Sequence, residues 1–268
     1  MKENVKQAVD YIKERVAWTP RAALILGSGL GDFADTFDDA VKIPTSEIPG
    51  YPRSTVEGHK GFLVFGTHKN IPLMAVQGRT HYYEGYPIAR VSFVVEIMAA
   101  MGIGKLVVTN AAGSVNPRYK PGDLMLIDDQ VNFLFTSPLR GKPRFTDMSN
   151  PYASELKQEV ERVALEKGIP LKRGVLWVSS GPTYETAAEV NMIRKMGGDA
   201  ASMSTVPEVI MAASLGMQTL GISCLTNYAT GISNEKLTHE EVTITANKVK
   251  KTFIALVSAI VTEIFGME

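Results

Sequence analysis

Short apolar runs alternate along this chain with segments whose apolar positions recur every three or four residues. AALILG (22–27), IPLMAV (71–76), KLVVTN (105–110), LMLID (124–128), GVLWVSS (174–180) and TLGISCLTN (219–227) have the length and flanks of buried strands. Between them PIARVSFVVEIMAAMG (87–102), PYASELKQEVERVALEKG (151–168), ETAAEVNMIRKMGG (185–198) and TVPEVIMAASLG (205–216) carry the helical period. Several of these end on Gly, a common helix stop. At the start, Val5, Ala8, Val9, Ile12 and Val16 fall on one side of an amphipathic helix. A final helix begins near Thr238 and Glu241, which have capping-box spacing. Its apolar face runs through Val242, Val249, Phe253, Leu256, Val257, Ile260 and Ile264.

Strands alternating with helices predict an α/β fold around a central, largely buried sheet. No internal repeat, low-complexity tract or linker interrupts the pattern, so residues 1–268 read as one domain. The stretch from Asp39 to Lys69 is richer in Pro, Gly and charge and reads as a hairpin and loop excursion within it. In open α/β sheets ligands bind beyond the carboxyl ends of strands, which directs attention to the residues that follow each apolar run.

Composition narrows the choice of ligand. Lys plus Arg and Asp plus Glu number 28 each, so no global field favours nucleic acid or an anionic membrane as partner. The opening residues lack the apolar core of a secretory signal, and FIALVSAIV is far below the roughly 20 residues of a membrane span. A cytoplasmic protein is expected. The single cysteine, Cys224, lies in an apolar run and excludes an internal disulfide. Neither it nor the four scattered histidines suggests a metal site.

Four strand ends carry groups suited to a free anion. GSGLG (27–31) offers a Gly-rich turn with a hydroxyl, Ser28. It is not a dinucleotide fingerprint, because Asp32 stands where the last glycine would fall, nor a P-loop, because no Gly-Lys-Ser/Thr follows. GRTHYYEGY (78–86) supplies Arg79 and His81 beside Tyr83; alone, it reads equally well as a surface loop with a cation–π pair. TNAAGSVN, whose residues 110–116 are mostly small, leaves room for a ligand to lie against backbone. DAASMSTVPEV places Ser204 just before a helix that Pro207 helps to start. Each has a structural explanation of its own; together they bring two hydroxyls and two cations to strand ends.

Two further stretches ask for a different ligand. GPTYETAAE puts Tyr184 and Glu185 after one strand, and CLTNYA puts Asn227 after the next. Glu185 can be read as a first-turn acid on a helix dipole and Asn227 as a turn residue. Yet an aromatic plane, an acceptor carboxylate and an amide are what a purine base requires.

Taken in order, GSGLG, GRTHYYEGY, TNAAGSVN, GPTYETAAE, SMSTVPEV, LTN and HEEV resemble the trimeric purine nucleoside phosphorylases over nearly the whole chain. The resemblance implies a mixed central sheet flanked by helices and phosphorolysis of inosine, guanosine and their 2′-deoxy forms. Inorganic phosphate would be a co-substrate, and no cofactor would be needed. It assigns Ser28, Arg79, His81, the backbone of Ala111 and Ser204 to phosphate, with His59 of TVEGHKG nearby. Tyr83, Met203 and His239 would line the ribose, and Phe145 of GKPRFTDMS would reach into a neighbouring subunit's sugar site in a homotrimer. Glu185 and Asn227 would hold a 6-oxopurine against Tyr184. The catalytic set it implies is Glu185, Asn227 and His81.

Ser202 departs from the glycine usual in such relatives, and Ala201 and Tyr228 stand at positions that vary among them. The sister family of methylthioadenosine phosphorylases would want an aspartate at Asn227 and a small hydroxyl residue at Glu185. A non-catalytic nucleoside-binding module would have no use for a separate phosphate site.

Overall fold

A strand that is apolar at every position must be covered on both faces, and Ala22–Leu26 (β1) is buried along its whole length. Its side chains divide by the two-residue period: Ala23 and Ile25 join one core cluster, Ala22, Leu24 and Leu26 the other. Burying each of its larger side chains stabilises the fold by roughly 1.5–3 kcal/mol. The computed structural model describes residues 2–56, 58–141, 145–233 and 239–266.

The remaining strands are β2 (Asp38–Pro44), β3 (Phe62–His68), β4 (Ile71–Gln77), β5 (Lys105–Ser114), β6 (Leu124–Asn132), β7 (Leu171–Val178), β8 (Ala200–Ser202) and β9 (Gln218–Tyr228). They form one nine-stranded mixed sheet in the order β2-β3-β4-β1-β5-β8-β7-β6-β9, and β9 also pairs with β5. That extra pairing closes β5, β8, β7, β6 and β9 into a ring, from which β1 to β4 extend as an open arm. β5 belongs to both. It runs parallel to β1 and to β9, and antiparallel to the short β8.

The helices α1 (Glu3–Lys13), α2 (Ile88–Val91), α3 (Phe93–Ala100) and α6 (Val206–Ser214) contribute to the core on one face of the sheet. On the other lie α4 (Ser154–Glu166) and α7 (His239–Ile260), whose Leu156, Val160, Phe253, Leu256 and Ile260 are buried. α5 (Ala187–Lys195) packs Val190 and Ile193 with Trp177 of β7 and Ala201 of β8 in a third, smaller cluster. The expected mixed sheet flanked by helices is therefore present, and the Asp39–Lys69 excursion is the antiparallel β2–β3 pair with a long loop between them.

The structure corrects three readings of the sequence. The strand read as ending at Asn110 runs on: β5 continues to Ser114, with a bulge between Ala112 and Gly113 where it pairs with β9. Small side chains there serve strand pairing and the cleft at once. The span 87–102 is two helical pieces meeting at Ser92. The helix expected from residue 185 begins at Ala187, because Thr186 caps it and pairs reciprocally with Glu189. Glu185 therefore precedes the helix and is not one of its first-turn acids. Thr238 lies outside the described residues, as do the side chains of Glu241 and Val242.

No described helix is long and apolar enough to cross a membrane. No described group of three or more His, Cys, Asp or Glu side chains could hold a metal ion.

Candidate active site

A cleft opens where the arm of the sheet meets the ring. β1 delivers Gly27 and Ser28, the segment after β4 delivers Arg79, His81 and Tyr83, and β5 delivers residues 110–113. From the ring come Tyr184 and Glu185, the stretch from Ala201 to Ser204, and Thr226 and Asn227 near the end of β9. This is the strand-end position expected for a ligand in an α/β sheet. Close backbone approach makes it possible: a Cβ on Gly27 would sit 2.8 Å from the Asn110 Cα.

One end of the cleft gathers positive charge and hydroxyls. Arg79 is 5% exposed, and its Nη1 donates to Ser204 Oγ at 3.0 Å. Its Nε lies 3.2 Å from Glu208 Oε1, but the N–H is out of line for a hydrogen bond, so this contact acts through charge. Removing one partner of such a buried pair typically costs about 3–5 kcal/mol, because the other charge is left uncompensated. Thr205 accepts from Asn110 Nδ2 at 2.9 Å and has φ +84°, left-handed backbone that a β-branched residue rarely adopts. Holding it there costs on the order of 1–3 kcal/mol, and it turns the chain so that Ser204 and the start of α6 both face Arg79.

His59, His81 and Tyr83 stack in a column, with ring centroids 5.3 Å and 4.7 Å apart. The His81 backbone N–H donates to Glu84 Oε1 at 2.6 Å, and the ring Nδ1 lies 3.3 Å from the same oxygen. That leaves His81 Nε2 for the cleft. Glu84 also accepts from the backbone and hydroxyl of Thr55, tying the 51–59 loop to the site. Buried as it is, the carboxylate is nonetheless held down at about 2 by these donors. His59 Nδ1 lies 2.9 Å from the Arg79 carbonyl and 3.2 Å from the Arg79 backbone N–H, and its Nε2 pairs with Ser28 Oγ at 3.2 Å. Burial, then the nearby His81 and Arg79, push His59 down to about 4 and keep its ring neutral at pH 7. A Cβ on Gly78, at φ +101°, would meet the His59 side chain at 2.6 Å.

The other end is less enclosed. Glu185 has one buried carboxylate oxygen, Oε1, without a hydrogen-bond partner among the described residues, and burial raises its pKa. Tyr184 beside it is 42% exposed. The Asn227 amide is oriented by two contacts: Thr226 Oγ1 donates to its Oδ1 at 2.9 Å, and its Nδ2 donates to the Tyr228 carbonyl at 3.0 Å. An amide nitrogen has two N–H donors, so one remains free for a ligand. Ser202 Oγ donates to the Ala111 carbonyl at 3.1 Å, joining β8 to β5 where their ladder stops.

Ten residues singled out from the sequence thus line one cleft: Ser28, Arg79, His81, Tyr83, Ala111, Tyr184, Glu185, Met203, Ser204 and Asn227. His59 lines an adjoining smaller cavity that shares Gly27 and reaches the cleft through Ser28. Phe145 is fully exposed and does not line the cleft. His239 opens α7, but its side chain lies outside those described.

The sequence reading missed the bracing groups Glu84, Asn110, Thr205 and Glu208. Glu84 had a local signal, three residues from His81 as in a capping box. Glu208 sits inside the quoted SMSTVPEV stretch but reads there only as a first-turn acid. Nothing local announces Arg79 as its partner.

Comparison with known proteins bears on this geometry. Residues 21–262 match the family model described as Phosphorylase superfamily. The chain is 49% identical over 263 residues to purine nucleoside phosphorylase 1 of Geobacillus stearothermophilus, covering 96% of both chains. Among solved structures it is similar to a schistosoma purine nucleoside phosphorylase in complex with hypoxanthine, with a TM-score of 0.92 and 34% identity over 98% of this chain and 97% of that one. The Schistosoma mansoni enzyme in complex with inosine matches at a TM-score of 0.92 and 33% identity, over 98% of this chain and 96% of that one. The chain belongs to the phosphorylase superfamily, among its purine nucleoside phosphorylases.

Proposed function

We propose that the chain catalyses reversible phosphorolysis of inosine, guanosine and their 2′-deoxy forms, giving the free purine and (deoxy)ribose 1-phosphate. The observation that carries this reading is the pairing within one cleft of a braced cationic end with an end that holds a carboxylate and an oriented amide. The matched schistosome enzymes are described with hypoxanthine, inosine, guanosine and adenosine, which fits a purine nucleoside here.

In this reading phosphate occupies the end formed by Ser28, Arg79, His81, Ser204 and the Ala111 backbone, with neutral His59 orienting Ser28. Tyr83 and Met203 face the sugar, and His239 is assigned to it as well, its side chain lying outside those described. The base lies against Tyr184. Glu185 accepts from its N1 side, and the free N–H of Asn227 meets N7 as negative charge develops there. The glycosidic carbon becomes cationic as the bond to the base breaks. The phosphate dianion stabilises that cation and then attacks it, so no protein nucleophile is needed and His81 acts as an anchor. Donors aimed at developing charge in a dry site are worth about 10²–10³ in rate each.

The amide at Asn227 and the carboxylate at Glu185 favour 6-oxopurines over adenosine. Phosphate is a co-substrate, and the reading requires no cofactor. It also includes a cytoplasmic homotrimer in which Phe145, fully exposed on this chain, reaches a neighbour's sugar site.

The test is base release from inosine and from adenosine, each with and without inorganic phosphate. Release from inosine that depends on phosphate supports the reading. Equal cleavage of adenosine overturns the base assignment, and release without phosphate overturns the anion site.

A further inference from the structure

We infer that Glu208 is a positioning residue for the phosphate end of the cleft. Its buried carboxylate fixes the Nε edge of Arg79, so that the Nη edge is presented to the anion. The inference rests on the proposed reading that Arg79 holds phosphate, and it concerns what makes Arg79 able to do so.

The two side chains are 3% and 1% exposed, and neither can turn to water for its counter-charge. Neither oxygen of Glu208 has a hydrogen-bond partner among the described residues; Arg79 Nε at 3.2 Å is the charge that faces the carboxylate. Glu208 comes from the first turn of α6. The rest of the guanidinium is held as well: Nη1 by Ser204 and more distantly by Thr205 at 3.4 Å, and Nη2 by the Ile25 carbonyl at 3.5 Å. Those contacts are single or long, and the planar fork could swing on them. The charge at Nε removes that freedom.

Two physical arguments give the carboxylate this role over a purely structural one. A buried ion pair is a poor stabiliser, since apolar groups of similar volume hold a core as well or better. What a buried carboxylate adds is a fixed counter-charge on one side of the guanidinium. Arginine also has five donors in a rigid plane, so it can face Glu208 on one edge and phosphate on another without giving up either. Between turnovers Glu208 offsets a charge that would otherwise stand alone in a dry site.

The experiment compares the parent chain with Glu208→Gln, Arg79→Met and the double variant. It measures kcat and the KM values for phosphate and for inosine, with thermal unfolding recorded for each protein. Glu208→Gln is expected to raise KM for phosphate about tenfold and to leave KM for inosine within about twofold, the coupling of contacting charged groups. Arg79→Met is expected to raise KM for phosphate about a hundredfold, and the double variant to be no worse than Arg79→Met alone. A residue that acts through Arg79 has nothing left to position once the guanidinium is gone.

Unchanged KM for phosphate in Glu208→Gln, or losses that multiply in the double variant, would overturn the inference. Unchanged KM for phosphate in Arg79→Met would overturn the phosphate site itself, so the two failures are distinguishable. If Glu208→Gln does not fold, Glu208→Asp is measured in its place. The same split between the two KM values supports positioning, and an equal rise in both overturns it.

Discussion

At one end of the cleft Arg79, His81 and Ser204 are 5%, 7% and 8% exposed, and each contacts another protein group. At the other, Tyr184 is 42% exposed and Glu185 keeps one oxygen without a partner among the described residues. The two ends are finished to different degrees. The cationic end is assembled before any ligand arrives, and its cost is met by the fold: a strained Thr205, a buried Glu208 and a loop tied down by Glu84. The other end, proposed for the base, is left for the ligand to complete. Such a division suits a site whose first substrate is small and invariant and whose second is larger and must be told apart from close analogues. Binding at the first end should change little in the protein, whereas binding at the second should bury and order it.

The comparison breaks most visibly at Asn227, because its remaining donor is the one assigned to charge on the leaving base. Asn227→Asp is expected to lower inosine cleavage by about 10²–10³ and to favour adenosine relatively. The ratio of the two kcat/KM values checks it, and an unchanged ratio removes Asn227 from the base site.

Glu185→Gln probes the unpartnered oxygen and should cost about tenfold or more in kcat/KM for inosine, since a hydrogen bond to a charged group contributes about 1.5–3 kcal/mol. Its pH dependence has a definite sign. Burial raises the Glu185 pKa above 4.5, so the carboxylate protonates sooner than an ordinary one as pH falls. KM for inosine should therefore climb in mildly acid buffer, and Glu185→Gln should flatten that climb.

Phe145→Ala sharpens the comparison from outside the chain. A several-fold rise in KM for nucleoside, with KM for phosphate unmoved, is expected if the ring completes a neighbour's sugar site. Identical kinetics in parent and variant would count against a shared site.

The smallest effect belongs to the finished end. His59 is held neutral at about 4, below the ordinary 6.5 of histidine. A depressed pKa contributes stability that is present above 6.5 and lost as pH falls towards 4. His59→Gln should flatten the fall in unfolding free energy across that window, as followed by denaturant titration. A slope equal to the parent's would place His59 in water in the folded state.

The fold was largely legible in the sequence, because a strand buried on both faces is apolar along its length and β1 could hardly be anything else. The closing of the ring was not. It depends on β9 pairing with both β5 and β6, and a strand's apolar run does not encode its neighbours. For the site, chemistry-bearing residues at strand ends stood out as types: Ser28, Arg79, His81, Glu185 and Asn227. Their braces did not. Asn110 and Thr205 pass for ordinary strand and turn residues, and their role appears only when β5 and the start of α6 meet. Glu185 carried two readings, a first-turn acid and a base ligand, and the cap at Thr186 removes the first.

The central claim is that one cleft holds phosphate at its finished end and a 6-oxopurine nucleoside at its open end. Base release from inosine, followed with and without inorganic phosphate, tests it most directly. The account predicts hypoxanthine and ribose 1-phosphate in equal amounts when phosphate is present and no release when it is absent. Release of hypoxanthine with free ribose, at a rate indifferent to phosphate, would contradict it.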